Sequence, residues 1–93
     1  MKIEFDPAKS EKNARERGLP FELVEGFDWE SAVIWEDNRF DYPETRYIGL
    51  SPFHGRVHVV CVTPVLGGLR VISFRKANDR EVRKYEKEKT TNR

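Results

Sequence analysis

The strongest constraint on this chain is the short distance between two strand-like runs late in its sequence. Residues 56–63 (Arg-Val-His-Val-Val-Cys-Val-Thr) and 69–75 (Leu-Arg-Val-Ile-Ser-Phe-Arg) are parted only by Pro64, Val65, Leu66, Gly67 and Gly68. A parallel crossover needs about a dozen residues or more, so these runs must pair antiparallel across the glycine turn. Two further runs precede them, residues 31–35 and 46–50, separated by the polar stretch 37–45. Pro52-Phe53-His54-Gly55 turns the chain into the third run. Residues 2–5 add a short opening strand.

Helix signals bracket these strands. Asp6 is suited to cap a first helix, Pro7 to its first turn and Gly18 to its end. Glu11 and Arg15 are four apart and support it from outside, while Ala8 and Ala14 are its only apolar residues. That helix is expected to lie on the domain, not run through it. A second, short helix is expected over residues 20–25, with Leu19, Phe21, Val24 and Phe27 turned inward. At the other end Asn78 followed by Glu81 makes a capping box. The helix it opens runs through Val82 and Tyr85 to about residue 89, then frays over 90–93. The expectation is one α+β domain spanning 1–93, a small antiparallel sheet with its helices grouped on one side. Two Trp, three Tyr and six Phe are enough aromatic bulk for its core.

Charge divides the chain. Residues 1–45 hold six basic side chains against twelve acidic, and residues 46–93 hold eleven against four, so a net +1 conceals about −6 and +7. A basic half suggests a polyanionic partner. The single Cys61 excludes an internal disulfide and a cysteine zinc site, and fits a reducing, cytoplasmic compartment. No apolar run reaches the ~20 residues of a membrane span. The opening residues lack a signal-peptide core. His54 and His58 fall on a turn and a strand, so no metal site is expected, and no cofactor. Gly-rich phosphate loops and a Ser–His–Asp set are absent from the sequence.

The chemistry-bearing residues cluster near the last strand. By alternation Arg70, Ile72 and Phe74 point one way and Val71, Ser73 and Arg75 the other. Arg75 and Lys76, next to the N–H groups opening the last helix, would make a phosphate cradle; the alternative is two solvated cations. Glu81 and Tyr85 share a helix face and would be placed to move protons beside those cations. Against that, Glu81 has capping to do and Tyr85 a ring to pack. On the first helix Lys9, Asn13 and Arg17 recur every four residues, either a solvated stripe or a surface that tracks nucleic acid.

Taken together these residues resemble the BrnT family of bacterial type II toxins. An opening Asp-Pro-x-Lys followed by Asn and a Gly before an aromatic is matched by Asp6, Pro7, Lys9, Asn13, Gly18 and Phe21. A central Arg-Tyr-x-x-Gly motif is similar to Arg46, Tyr47 and Gly49, with one residue before the glycine where the motif has two. An Arg-x-Ile-Ser-x-Arg-x-Ala stretch is similar to Arg70, Ile72, Ser73, Arg75 and Ala77, completed by Glu81 and Tyr85. The resemblance covers residues 5–85. It implies a fold like the RelE-type ribonuclease toxins, inhibition of translation by RNA cleavage, and a cognate antitoxin. That antitoxin is implied to carry a ribbon-helix-helix part, through which the complex would reach operator DNA. One position departs: the family's usual Lys-His-Gly ends the first helix here as Glu16-Arg17-Gly18, and an arginine cannot replace a histidine in proton transfer.

The expected reaction is attack of an RNA 2′-hydroxyl on its neighbouring phosphate without a metal. Arg70, Arg75 and Lys76 would stabilise charge, Glu81 or Tyr85 would handle protons, and Lys9, Asn13, Arg17 and Arg46 would hold the backbone. The rival is a binding module that holds RNA or only the antitoxin, and the Arg17 departure favours it.

Overall fold

The computed structural model describes residues 2–91. In chain order it gives β1 (Lys2–Glu4), α1 (Pro7–Arg17), a 3-10 helix η1 (Phe21–Gly26), β2 (Val33–Glu36), β3 (Tyr47–Phe53), β4 (Arg56–Val65), β5 (Gly68–Lys76) and α2 (Asp79–Thr91). One sheet of order β1-β5-β4-β3-β2 carries them all. Strands β2 to β5 form an antiparallel meander, as their short turns require. The chain is α+β, in keeping with the RelE-like fold expected from its sequence.

Local chemistry sets the boundaries. The Asp6 side chain accepts from the Ala8 N–H, Pro7 occupies the first turn, and Gly18 ends α1 in the left-handed region at φ 70°. His54 and Gly55 both take positive φ, which lets a two-residue turn match the twist of β3 and β4. At the β4–β5 turn Gly68 lies against β1, where a Cβ would run into the Lys2 backbone.

Three expectations need correction. β1 joins β5 in parallel, Ile3 opposite Leu69, because α1 and the strands beyond it supply the long connection that a parallel pair needs. Helices cover both faces of the sheet, not one. On the first face α1 and η1 enclose Leu19, Phe21, Val24, Phe27, Phe53, Val60, Val62, Val71 and Phe74. On the second, Val82, Tyr85 and Ala77 close over Ile48, Leu50 and Val59, with Val33 and Trp35 beside them. The last helix ends at Thr91, close to the expected end near 89. Residues 92 and 93 of the expected frayed tail lie outside the described residues.

The third correction concerns β5. Cys61 pairs with Ser73 and Val62 with Val71, so Ile72 is an extra residue bulged out of the ladder. Alternation therefore breaks there. Val71 and Phe74 enter the same core, opposite Val62 and Val60, although simple counting separates them. By the same shift Arg70 and Arg75 fall on one face, not on two.

Candidate nucleic-acid interface

The bulge opens the edge of β5. Pairing with β1 ends at Arg70, and α1 leans over the remaining edge. Between them lies a groove of about 400 Å³, lined on one side by Lys9, Lys12, Asn13, Glu16 and Arg17 and on the other by Ile72, Ser73, Phe74 and Arg75. Three of the four residues expected to hold RNA are therefore brought to one expected catalytic residue. Four cations face a single carboxylate, Glu16. Lys12 and Glu16 were missed by the four-residue stripe, but their i+3 spacing from Lys9 and Asn13 places them beside it on a helix.

Asn13 has a different task from the one expected. Its Nδ2 donates to the Leu19 carbonyl at 2.7 Å and to the Phe74 carbonyl at 2.8 Å. Both amide hydrogens are spent, and the remaining Oδ1 is an acceptor, which does not suit phosphate. Asn13 instead ties the end of α1 to the open edge of β5.

Arg75 crosses from the groove to α2. Its Nη1 and Nη2 donate to the two carboxylate oxygens of Glu81, each at 2.8 Å, and Nη1 also donates to the Lys76 carbonyl at 3.2 Å. Glu81 also accepts from the Asn78 N–H, while Asn78 Oδ1 accepts from the Glu81 N–H, completing the capping box. Arg75 above all, with the Asn78 N–H, holds the Glu81 carboxyl below its usual range despite partial burial. Glu81 is thus ionised at neutral pH and a weak base. The Asn78 and Glu81 N–H groups at the start of α2 are thus answered from within the protein.

The other expected residues disperse. Lys76 follows Arg75 by one position and points across the sheet, lining a separate hollow with Leu19, Phe53, His54 and His58. The expected Arg75–Lys76 cradle is not formed. Arg70 is bound by Glu4, its neighbour on β1, with Nε donating at 2.8 Å. Arg46 donates to Glu44 and stacks 4.0 Å over the Tyr42 ring, in the loop between β2 and β3. Tyr85 packs into the core under α2, and burial raises its phenol above the ordinary value. That β2–β3 loop is pinned by Asp37, which accepts from Arg39 and Tyr42; Arg39 holds its carboxyl well below the usual range. Arg39 in turn stands within electrostatic reach of both Arg75 and Glu81.

Among the described residues no group of three or more His, Cys, Asp or Glu is arranged to hold a metal ion. No described helix is long and apolar enough to cross a membrane. His54 takes its expected place in a turn, and His58 is buried in β4 between Phe53 and Phe74.

A family model described as "Ribonuclease toxin, BrnT, of type II toxin-antitoxin system" matches residues 5–81. The matched stretch includes α1, strands β2 to β5, the Asn78–Glu81 cap and every groove residue, and it begins just after β1. No curated protein and no solved structure matches the chain.

Proposed function

The chain belongs to the BrnT family of ribonuclease toxins of type II toxin–antitoxin systems, and from that premise we propose that it is a metal-independent endoribonuclease that inhibits translation by cutting RNA. The observation that carries this reading is the groove between α1 and β5, where Lys9, Lys12 and Arg17 face Arg75. Phosphates of a single strand laid along α1 would meet these cations in turn, and binding of this kind needs no base sequence. A scissile phosphate beside Arg75 would place its developing charge against the guanidinium, usually the largest catalytic contribution.

The reaction has three demands: a stabilised pentavalent anion, a base for the 2′-hydroxyl and an acid for the leaving 5′-oxygen. Arg75 answers the first. Glu81, already on Arg75, is the carboxylate nearest to hand for the second, once RNA phosphate has drawn the guanidinium partly away. Tyr85 is protonated at neutral pH and is assigned to the third, with Arg70, Lys76 and Arg46 as outlying contacts to the RNA chain. A second reading, a module that binds RNA or antitoxin without cutting, is favoured by one observation: both arms of Arg75 are occupied by Glu81.

Membership of the family implies a cognate antitoxin. We assign it a ribbon-helix-helix part that reaches operator DNA, so the toxin itself touches DNA only through its partner. Cleavage of a labelled RNA by the purified chain, with and without EDTA, tests the reading. Products with cyclic-phosphate and 5′-hydroxyl ends, formed equally in EDTA, are expected. Activity lost to EDTA and restored by Mg²⁺ would sink it.

A further inference from the structure

The first face of the sheet is only partly covered. α1 and η1 close over its β5 side, but toward β2 the sheet lies bare in a groove lined by Trp29, Ile34, Tyr47, Val62, Pro64 and Leu69. The groove presents only apolar surface and holds about 330 Å³. Ile34, in the groove wall on β2, is 48% exposed, and Leu66, in the β4–β5 turn between the lining residues Pro64 and Leu69 in sequence, is 98% exposed. A wholly apolar groove with an exposed isoleucine in its wall marks a surface that something covers. We propose that this groove is the anchor site for the antitoxin, and that it takes an amphipathic helix with an apolar face and basic flanks. The proposal rests on the antitoxin implied by family membership, not on the cleavage reaction.

The form of the occupant follows from backbone chemistry. The groove crosses β2, β3, β4 and β5 in turn. An extended segment laid on the middle of a sheet face would leave its own N–H and C=O groups without partners, whereas a helix satisfies them internally. Four strands span three spacings, about 14 Å. At 1.5 Å per residue this corresponds to a helical stretch of roughly nine or ten residues.

Charge gives the flanks. Glu30 follows Trp29 and is exposed, and Glu36 ends β2, exposed and paired in register with Tyr47. Both belong to residues 22–44, which carry eight acidic side chains and one basic, Arg39. An apolar groove with acidic neighbours favours Lys or Arg beside the buried face of its occupant, and such pairing speeds association. The RNA groove, by contrast, is lined by Lys9, Lys12, Arg17 and Arg75, none of which lines the apolar one. Anchor and RNA site are therefore distinct, and mutation can separate them.

The experiment uses the full chain, its Ile34→Asp and Leu66→Asp variants, and the purified cognate antitoxin. Both side chains are exposed, so both variants should fold, which thermal unfolding verifies. Antitoxin affinity should fall by about 30-fold for the stronger variant, the effect of removing one central interface residue, while RNA cleavage by the free variants stays unchanged. Lys substitution of Glu30 and Glu36 together should slow antitoxin association and flatten its salt dependence. Unchanged affinity in both aspartate variants overturns the proposal, as does a parent chain that binds no antitoxin. If light scattering finds a free parent dimer that either aspartate makes monomeric, the groove belongs to a second copy and the assignment fails. A parent that binds antitoxin through the groove but cuts no RNA leaves this inference standing and overturns the ribonuclease reading instead.

Discussion

Arg75 and Glu81 are joined by two hydrogen bonds of 2.8 Å, one from each terminal nitrogen of the guanidinium to a separate carboxylate oxygen. One residue lines the groove beside α1 and the other caps α2 on the opposite face, so the pair ties the two sides of the sheet at its edge. It fixes the direction of the cation and keeps the carboxylate ionised.

Arg75→Ala should lower cleavage by roughly 10²-fold or more, as loss of one transition-state donor does. The sequence on its own suggests an exposed charge whose loss leaves Tm unchanged, but the pairing with Glu81 adds a stability cost on the order of 1 kcal/mol. Glu81→Gln keeps the cap, because glutamine also serves in a capping box. Its cleavage should fall by at least about 10² if the carboxylate takes the proton, with a Tm loss no larger than that of Arg75→Ala, since the cap stays and only the ion pair is given up. A rise would show that Glu81 only restrains Arg75.

Arg17 lines the groove at the position where the family resemblance implies a histidine. Arg17→His should raise the cleavage rate and add a pH dependence near ~6.5, the ordinary histidine value. A rate and pH profile identical to the parent's would assign the position to phosphate contact alone.

Asn13→Ala should destabilise the fold by roughly 1–3 kcal/mol, since the Leu19 and Phe74 carbonyls lose their donor. Unfolding followed by circular dichroism measures it. If Tm stays at the parent value while RNA binding weakens, Asn13 is an RNA contact and the structural role given above is wrong.

Stability should fall as pH drops below about 6.5, through His58. Burial between Phe53 and Phe74 lowers its pKa, so below 6.5 the unfolded chain binds a proton that the folded chain resists. The stabilisation is present above the unfolded pKa and is lost as pH falls toward the folded one. Asp37 and Glu81, also held low, add a second loss that begins near their ordinary values of 3.8 and 4.5. Urea melts from pH 8 to 4 should show the upper step in the parent and not in His58→Gln. A step retained in the variant would place its origin elsewhere.

Much of this molecule is legible along the chain. The Asp6, Gly18 and Asn78–Glu81 signals are read over four residues or fewer, and α1 and α2 begin and end around them. The inward set Leu19, Phe21, Val24 and Phe27 follows from local spacing, and the meander from turn lengths too short for any other pairing. Three groove residues, Lys9, Asn13 and Arg17, share a face for the same reason.

Tertiary structure decided the rest. Ile72 bulges because of how β5 meets β4, so no periodicity within β5 reveals that Val71 and Phe74 share a core or that Arg70 and Arg75 share a face. The partners of the charges are equally distant in sequence: Arg70 finds Glu4 across β1, and the Asn13 amide is spent on Phe74. Helix caps and turns depend on neighbours a few bonds away, and the sequence by itself determined them. Which cations remain free to meet RNA, and which apolar face stays bare, depend on side chains that only the folded sheet brings within a few ångströms.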